Sequence, residues 1–273
     1  MKMKLFLSII AAGALFASCN KASTTVTTPG APDSVTVLIH DSTYDGINPG
    51  NTTVRDFVYD TTTNKLVKVK YKYGGSQIVS SYDSVYYNGG GFAVKVLSYQ
   101  IGTGTPTDST SFYYTGTRLD STNVGGTQNS APYSVSQIFH YIGSSTKPDS
   151  LHTATYIAPS GGGGGGPQDI GHIVFAGNNL STALIYMGGP GIPIVAAADL
   201  TAENPYHGLV FKGSDDVIVL FDANNIDSIS APSISQTFYQ RTYTYTGGRV
   251  SQYIDLKNGS NPQTTDISYM KIP

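Results

Sequence analysis

A Tyr-rich unit of two predicted β-strands recurs along this chain, and the recurrence restricts the fold more than any other feature of the sequence. Each copy has an aromatic strand, a turn rich in Gly, Asn or Thr, and a second strand that opens on an aliphatic residue. The clear copies are RDFVYDTTTNKLVKVKY (55–71), DSVYYNGGGFAVKVLSY (83–99), DSTSFYYTGTRLDSTNV (108–124) and QRTYTYTGGRVSQYIDL (240–256), and looser copies occupy 136–156, 171–187 and 208–222. The aromatic markers Tyr59, Tyr87, Tyr114, Tyr141, Phe175, Phe211 and Tyr245 lie 28, 27, 27, 34, 36 and 34 residues apart, which predicts about seven hairpins and about fourteen strands.

One copy shows why the unit forms a hairpin. In TYTYTG, Tyr243 and Tyr245 point to one face of a strand, and Thr242 and Thr244 point to the other. The glycines that follow permit the positive φ of a tight turn. Because a single hairpin is barely stable in water, the copies must pack on one another.

The predicted fold is therefore all-β. We expect one domain over 34–273, an antiparallel meander of Tyr-rich hairpins whose sheet either stays open or curls toward a barrel. A β-propeller is the second choice, because the pitch is nearer two strands than four. A membrane-spanning barrel is the third, because the strands lack a regular lipid-facing alternation. The best helix candidate is 195–203 (VAAADLTAE), which is short.

The unit also resembles a known repeat. Tyr59-Asp60 with Leu66, and Tyr245 with the run 247–250 (GGRV), resemble the tyrosine-aspartate repeats of Rhs-type bacterial surface proteins. They are more similar still to lipoproteins of Bacteroidota that are built from Tyr-rich hairpins. The resemblance covers 55–156 and 240–256, and it implies an array of β-hairpins without catalysis.

The start of the chain predicts export and lipidation. MKMK is followed by the apolar run LFLSIIAAGALF (5–16), by two small residues and by Cys19. A basic segment, a short apolar run and a small-residue cleavage site form a secretory signal, and the run is too short to remain as a spanning helix. The stretch resembles the lipobox of bacterial lipoproteins, which implies a lipid on Cys19. An ordinary signal peptide, with Cys19 unmodified, is the alternative.

These features divide the chain into a signal peptide (1–18), a flexible tether (19–33) and the all-β domain. Asn20 and the residues after it lack the acidic signal of surface-exported relatives, so we expect an outer-membrane lipoprotein that faces the periplasm. Six consecutive glycines form the centre of a Gly-rich loop at 160–168. We interpret this loop as a long connection between hairpins, and a linker between two subdomains is the alternative.

Composition narrows the function classes. Charged residues make up 12% of the chain, against about 25% in a typical domain, and the net charge is −2. We expect no nucleic-acid partner, because phosphate binding relies on clustered Lys and Arg. Cys19 is the single cysteine, so a lipidated chain has no thiol for a disulfide, a metal or catalysis.

The titratable residues form no recognisable catalytic set. The histidines, His40, His140, His152, His172 and His207, lack the i, i+2 or i, i+4 spacing of a metal site, and only His140 and His152 would approach each other across a hairpin. Glu203 is the sole glutamate, and nothing marks a pair of acid–base carboxylates. We expect no enzyme activity, no cofactor and no metal.

An Asp-Ser/Thr pair recurs and has two interpretations. It resembles the O-glycosylation acceptor of Bacteroidota, which implies glycans on Ser34, Ser42, Thr61, Ser84, Ser109, Ser121, Ser150 and Ser228. The alternative is structural, because the pair opens strands that the repeat copies.

The sequence thus favours a non-enzymatic, outer-membrane-anchored lipoprotein with a structural or interaction role. Its expected partners are the membrane, through the lipid, and a glycan or an envelope protein. The alternative is a binding module for a glycan or small ligand that uses exposed Tyr on one sheet face. The candidate ligand-facing residues are Tyr87, Tyr114, Tyr243 and Tyr245.

Overall fold

The computed structural model describes residues 35–46, 50–128, 131–157, 168–186, 189–211, 221–257 and 261–272. These residues form β-strands and one short 3-10 helix, Pro232–Ile234. The first eight strands are β1 (Val35–Asp45), β2 (Thr53–Asp60), β3 (Lys65–Tyr73), β4 (Ser81–Tyr87), β5 (Ala93–Gln100), β6 (Pro106–Thr115), β7 (Arg118–Gln128) and β8 (Ala131–His140). The second eight are β9 (Ser150–Ile157), β10 (Gln168–Ala176), β11 (Asn179–Tyr186), β12 (Ile192–Glu203), β13 (Asn224–Ala231), β14 (Gln236–Thr246), β15 (Arg249–Lys257) and β16 (Gln263–Ile272).

The strands form one closed antiparallel barrel. Each strand pairs with its neighbours in sequence, and β1 pairs with β16 to close the sheet, with Asp41 opposite Ile267. The predicted all-β meander is confirmed, and of the two outcomes that the sequence left open, an open sheet and a curl toward a barrel, the structure has the closed barrel. The propeller alternative is not supported, because a single continuous sheet has no separate blades.

Six of the seven predicted hairpins are confirmed at β2–β3, β4–β5, β6–β7, β8–β9, β10–β11 and β14–β15. The hairpin predicted at 208–222 lies mostly outside the described residues; its described parts, 208–211 and 221–222, lie outside the strands, and the flanking strands β12 and β13 pair with each other. The prediction of about fourteen strands missed β1 and β16, the pair that closes the barrel.

The helix candidate at 195–203 is also a strand. It lies within β12, where Val195 faces Ser230 and Ala196 faces Ile229 of β13. Helix propensity is a weak preference that pairing with two neighbouring strands outweighs.

The repeat unit places a β-bulge at the same position in its four clear copies. The strand pairing slips just before the marker residues Tyr59, Tyr87, Tyr114 and Tyr245. In β2–β3, for example, Tyr59 faces Leu66 and Val58 faces Lys68, so Val67 has no partner. A bulge bends and twists a strand, and its repetition helps the sheet to curve into a barrel.

The apolar core fills the inside of the barrel. Buried side chains from many strands form it, among them Leu38, Phe57, Val69, Val96, Phe112, Phe139, Leu151, Ile194, Val250 and Ile267. They alternate along each strand with more exposed residues, as in β3, where Leu66, Val69 and Tyr71 are buried and the lysines between them are not. Thr242 and Thr244 likewise face outward beside an inward Tyr243, as the alternation predicts.

The signal peptide, tether, Cys19 and Ser34, together with most of the Gly-rich loop at 160–168, lie outside the described residues. Their assignments remain predictions. The described part of the chain includes no helix with the length and hydropathy needed to cross a membrane.

Candidate functional site

A polar cluster is enclosed by the apolar core. We call Asp41, Arg55, Tyr206, Arg241, Tyr253 and Asp255 the lumen cluster. At its centre, Asp41 on β1 faces Arg55 on β2 across the sheet. Arg55 Nε donates to Asp41 Oδ1 at 2.8 Å, Nη2 donates to Oδ2 at 2.6 Å, and Asp41 is fully buried. Burial alone would lower the pKa of Arg55, but the charge of Asp41 opposes it and holds the pKa above its ordinary value.

The connection between β12 and β13 reaches into this cluster. The Tyr206 hydroxyl donates to Asp41 Oδ2 at 2.7 Å and lies 3.4 Å from the Tyr253 hydroxyl. Burial raises the pKa of Tyr206 well above its ordinary value, so the phenol stays protonated and can donate. The guanidinium of Arg55 lies 5.4 Å from the Tyr206 ring centre and 5.1 Å from that of Phe211. Part of this connection therefore packs against the inner face of β1 and β2.

The same connection is held at its other end. Lys147 Nζ donates to the carbonyl oxygen of Phe221 and lies 5.3 Å from the ring centre of Phe175. Burial lowers the pKa of Lys147, and the charge of Asp222 opposes this change. In the sequence, Tyr206 precedes and Phe221 follows residues 212–220, which are outside the described part of the chain.

A second ion pair completes the lumen cluster. Arg241 on β14 faces Asp255 on β15, and Arg241 Nη2 donates to Asp255 Oδ2 at 2.9 Å. The guanidinium also lies 3.9 Å from the ring centre of Tyr253. Each arginine is thus paired with a carboxylate and packed on aromatic rings, an arrangement that stabilises charge inside a core.

A further buried carboxylate is satisfied in the same way. The Tyr71 hydroxyl donates to Asp83 Oδ2 at 2.6 Å, and both residues are buried. Burial, followed by the charge of Asp83, raises the pKa of Tyr71 far above its ordinary value. Asp41 and Asp83 each come from an Asp-Ser pair, so this structural role accounts for part of that enrichment. Both carboxylates accept hydrogen bonds from other parts of the barrel, and these bonds stabilise the fold.

The predicted ligand-facing tyrosines lie at the inner side of the barrel. Tyr87, Tyr114 and Tyr243 are half-buried and pack against the core, and Tyr245 is 38% exposed. The Tyr87 hydroxyl donates to the carbonyl oxygen of Leu66 at 2.8 Å, and burial raises the pKa of Tyr87 to about 12. The Tyr243 hydroxyl donates to the Ile226 carbonyl oxygen at 2.7 Å. Ligand contact remains a prediction for these residues, and their geometry favours packing.

Some of these contacts tie one hairpin to the next. The Tyr141 hydroxyl donates to the Leu119 carbonyl oxygen at 2.5 Å, as Tyr87 does to Leu66 in an earlier hairpin. A basic residue one position before each acceptor lies over the same ring: Lys65 is 5.0 Å from the Tyr87 centre, and Arg118 is 4.6 Å from the Tyr141 centre. The basic-aliphatic pair that opens the second strand thus binds the tyrosine of the following hairpin.

Most of the candidate O-glycosylation residues lie on the outer face of the barrel strands. Ser42, Ser84, Ser109, Ser121 and Ser228 lie within strands on the outer face. Ser150 begins β9, and Thr61 is exposed in the β2–β3 turn. Asp60, which precedes Thr61, accepts hydrogen bonds from the backbone N–H groups of Thr62 and Thr63, and these bonds lower its pKa. Glycosylation of these residues is untested.

The histidines do not converge. His140 and His152 lie on adjacent strands but face Ser150 and Ile138 respectively, and His152 pairs with Asp169. His40 pairs with Asp56 at 2.8 Å. Within the described ranges, no group of three or more His, Cys, Asp or Glu side chains is placed to hold a metal ion.

The outer surface carries a patch that the sequence analysis missed. We call Lys68, Lys70, Tyr82, Tyr86, Lys95, Tyr99 and Tyr113 the lysine–tyrosine face. Across the sheet, Lys70 faces Tyr82, Tyr82 faces Tyr99, and Tyr86 faces Lys95. The alternation KVKYK (68–72) was the signal that could have revealed it, since residues two apart share one face of a strand.

The fold so described belongs to the class of closed, antiparallel β-barrels. Similar solved structures include crystal structures described as porin-like proteins from Bacteroides vulgatus and Bacteroides uniformis. The first is 12% identical with a TM-score of 0.53, over 86% of this chain and 99% of that one. The second is 10% identical with a TM-score of 0.52, over 85% and 96%. No protein-family model and no curated sequence matches the chain, so the likeness is one of fold.

Proposed function

We propose that the protein is a non-enzymatic lipoprotein of the cell envelope, anchored at the outer membrane through Cys19, with a structural or interaction role. In this proposal the barrel wall stands in water and the lipid alone holds the chain to the membrane. The likeness to porin-like barrels from Bacteroides is compatible with an outer-membrane setting.

The polarity of the barrel supports this placement more than any other observation. A membrane-spanning barrel has apolar side chains outside and polar side chains inside. Here β3 presents Lys68, Lys70 and Lys72 outward, and its buried residues are Leu66, Val69 and Tyr71. A lysine on the lipid face costs about 2–4 kcal/mol at the bilayer midplane, so this strand alone opposes insertion.

Aromatic packing inside the barrel supports a role other than the conduction of solutes. A barrel of sixteen strands is wide enough for a water-filled channel. In the described part of this chain, Phe57 and Phe211 meet edge to face inside, with ring centres 5.5 Å apart. Tyr206 adds its contact with Asp41. These contacts place part of the β12–β13 connection inside the barrel, against the apolar core.

Lipid labelling and cell fractionation test the proposal. The wild-type chain should incorporate radiolabelled palmitate and sediment with the outer membrane until detergent is added. The Cys19→Ser variant should lose the label and appear in the periplasmic fraction without detergent. Ser23→Ala, a change in the tether, serves as the matched control and should behave as wild type. An unlabelled wild type, or a Cys19→Ser variant that resists alkaline extraction from membranes, would contradict the anchor.

A further inference from the structure

The outer face of β3 to β5 carries four lysines, Lys68, Lys70, Lys72 and Lys95. Lys72 pairs with Asp56 at 2.9 Å, and it is the only residue of these three strands with an outer-face ion pair among the described residues. Among the described residues, Lys68, Lys70 and Lys95 therefore have no carboxylate partner. Of the described arginines, Arg55 and Arg241 are paired inside the lumen, Arg118 lies 3.6 Å from Asp120, and Arg249 lies over the ring of Tyr269. Although the chain has a net charge of −2, this face is basic.

Aromatic rings lie among these lysines. Tyr82 and Tyr99 stack with ring centres 4.9 Å apart and an interplanar angle of 14°, and Lys68 Nζ lies 4.7 Å from the Tyr82 centre. Tyr86 and Tyr113 are 47% and 54% exposed. An outward tyrosine offers a flat apolar ring and a hydroxyl that can both donate and accept a hydrogen bond.

We infer that the lysine–tyrosine face binds an acidic polysaccharide, a chain of sugars that carry carboxylate groups. The ammonium groups of Lys68, Lys70 and Lys95 pair with the carboxylates. The phenol hydroxyls bond sugar hydroxyls, and the exposed rings of Tyr86 and Tyr113 pack against the C–H faces of the sugars. This inference rests on the proposed function, since it requires the barrel wall to face water.

The same chemistry argues against a nucleic acid. Nucleic-acid sites neutralise many phosphates with clustered Lys and Arg, about six to ten in a typical duplex complex. This face has three lysines without a carboxylate partner and no arginine. A few carboxylates spaced along a sugar chain match its charge more closely.

Binding of the purified full chain to defined polymers tests the inference. The probes are polygalacturonate and hyaluronate as acidic polysaccharides, dextran as a neutral one, and a single-stranded oligothymidylate as a nucleic acid. We expect both acidic polysaccharides to bind, with affinity that falls as salt rises, and dextran not to bind.

Two variants separate charge from ring contact. Lys68→Gln/Lys70→Gln/Lys95→Gln should raise the Kd for polygalacturonate about tenfold or more. Tyr86→Ser/Tyr113→Ser should also raise it about tenfold, because ring packing adds to the electrostatic attraction. Lys271→Gln and Tyr44→Ser are matched controls on other strands and should bind as wild type. Circular dichroism establishes that each variant keeps its fold.

Three results would overturn the inference. The first is failure of the wild type to bind either acidic polysaccharide. The second is unchanged binding by Tyr86→Ser/Tyr113→Ser, which would mean that charge alone attracts the polysaccharide. The third is oligothymidylate binding as tightly as polygalacturonate. Each result is independent of the Cys19 fractionation, because binding is measured on purified protein.

Discussion

Removal of the carboxylate of Asp41 should destabilise the barrel strongly. Asp41 is fully buried, accepts two hydrogen bonds from Arg55 and accepts one from Tyr206. In Asp41→Ala, the guanidinium of Arg55 would lose its counter-ion while its side chain is only 17% exposed. An uncompensated buried charge of this kind costs about 3–5 kcal/mol.

The contacts of Asp41 allow the cost to be divided. Tyr206→Phe removes one of its three hydrogen bonds and leaves the ion pair, so the free energy of unfolding should fall by about 1–2 kcal/mol. Asp41→Leu/Arg55→Met removes both charges and keeps apolar volume, so it should be less destabilised than Asp41→Ala. The outer-face pair of Asp56 and Lys72 gives a comparison, because its side chains are 30% and 18% exposed and water can reach the remaining charge; Asp56→Ala should cost less than Asp41→Ala.

Urea unfolding provides the measurement. The chain has 20 Tyr and no Trp, so tyrosine fluorescence reports the transition, and circular dichroism of the β-signal gives a second probe. At a constant denaturant slope, a shift of the midpoint measures the change in stability. The reasoning fails if Asp41→Ala costs less than about 1 kcal/mol, or if the double variant is less stable than the single one.

Three further predictions concern the tyrosines and the core. Tyr141→Phe loses the hydrogen bond to the Leu119 carbonyl and should cost about 0.5–1.5 kcal/mol in urea unfolding, whereas Tyr113→Phe on the exposed outer face should cost nothing measurable. Burial raises the pKa of Tyr87 and of Tyr141 to about 12; since both values exceed the unfolded value near 10, their stabilisation is complete below about pH 10 and is lost as pH rises toward about 12. Partial exposure limits that loss to about 1 kcal/mol for each residue, and a flat melting temperature across this pH range would contradict it. Phe57→Ala should lower the free energy of unfolding by about 3–5 kcal/mol, and a loss below about 1 kcal/mol would place Phe57 outside the core.

The local structure of this barrel could be predicted from short segments of the chain. The alternation in TYTYTG correctly separated Tyr243 from Thr242 and Thr244. The turn chemistry correctly located six hairpins, because turn residues and strand alternation act over a few neighbouring positions. The prediction failed at 195–203, where the local pattern resembles a helix and pairing with another strand decides otherwise.

The candidate sites could be predicted less well. The tyrosines proposed as ligand-facing were chosen for the repeat they mark, and that repeat uses Tyr87 and Tyr243 to bind backbone carbonyls inside. The outward lysines were visible in KVKYK, but their tyrosine neighbours come from β4, β5 and β6. Only strand pairing shows that the two sets share one surface.

Repetition, alternation and turn residues were thus sufficient to specify a meander of Tyr-rich hairpins. Closure of the barrel, the filling of its lumen and the choice of inner face required the complete fold. The pairing of β1 with β16 joins the two ends of the domain, and the contact of Asp41 with Tyr206 joins residues that are 165 positions apart. Such contacts form only when the sheet has curved through all of its strands, so no short segment of the sequence contains them.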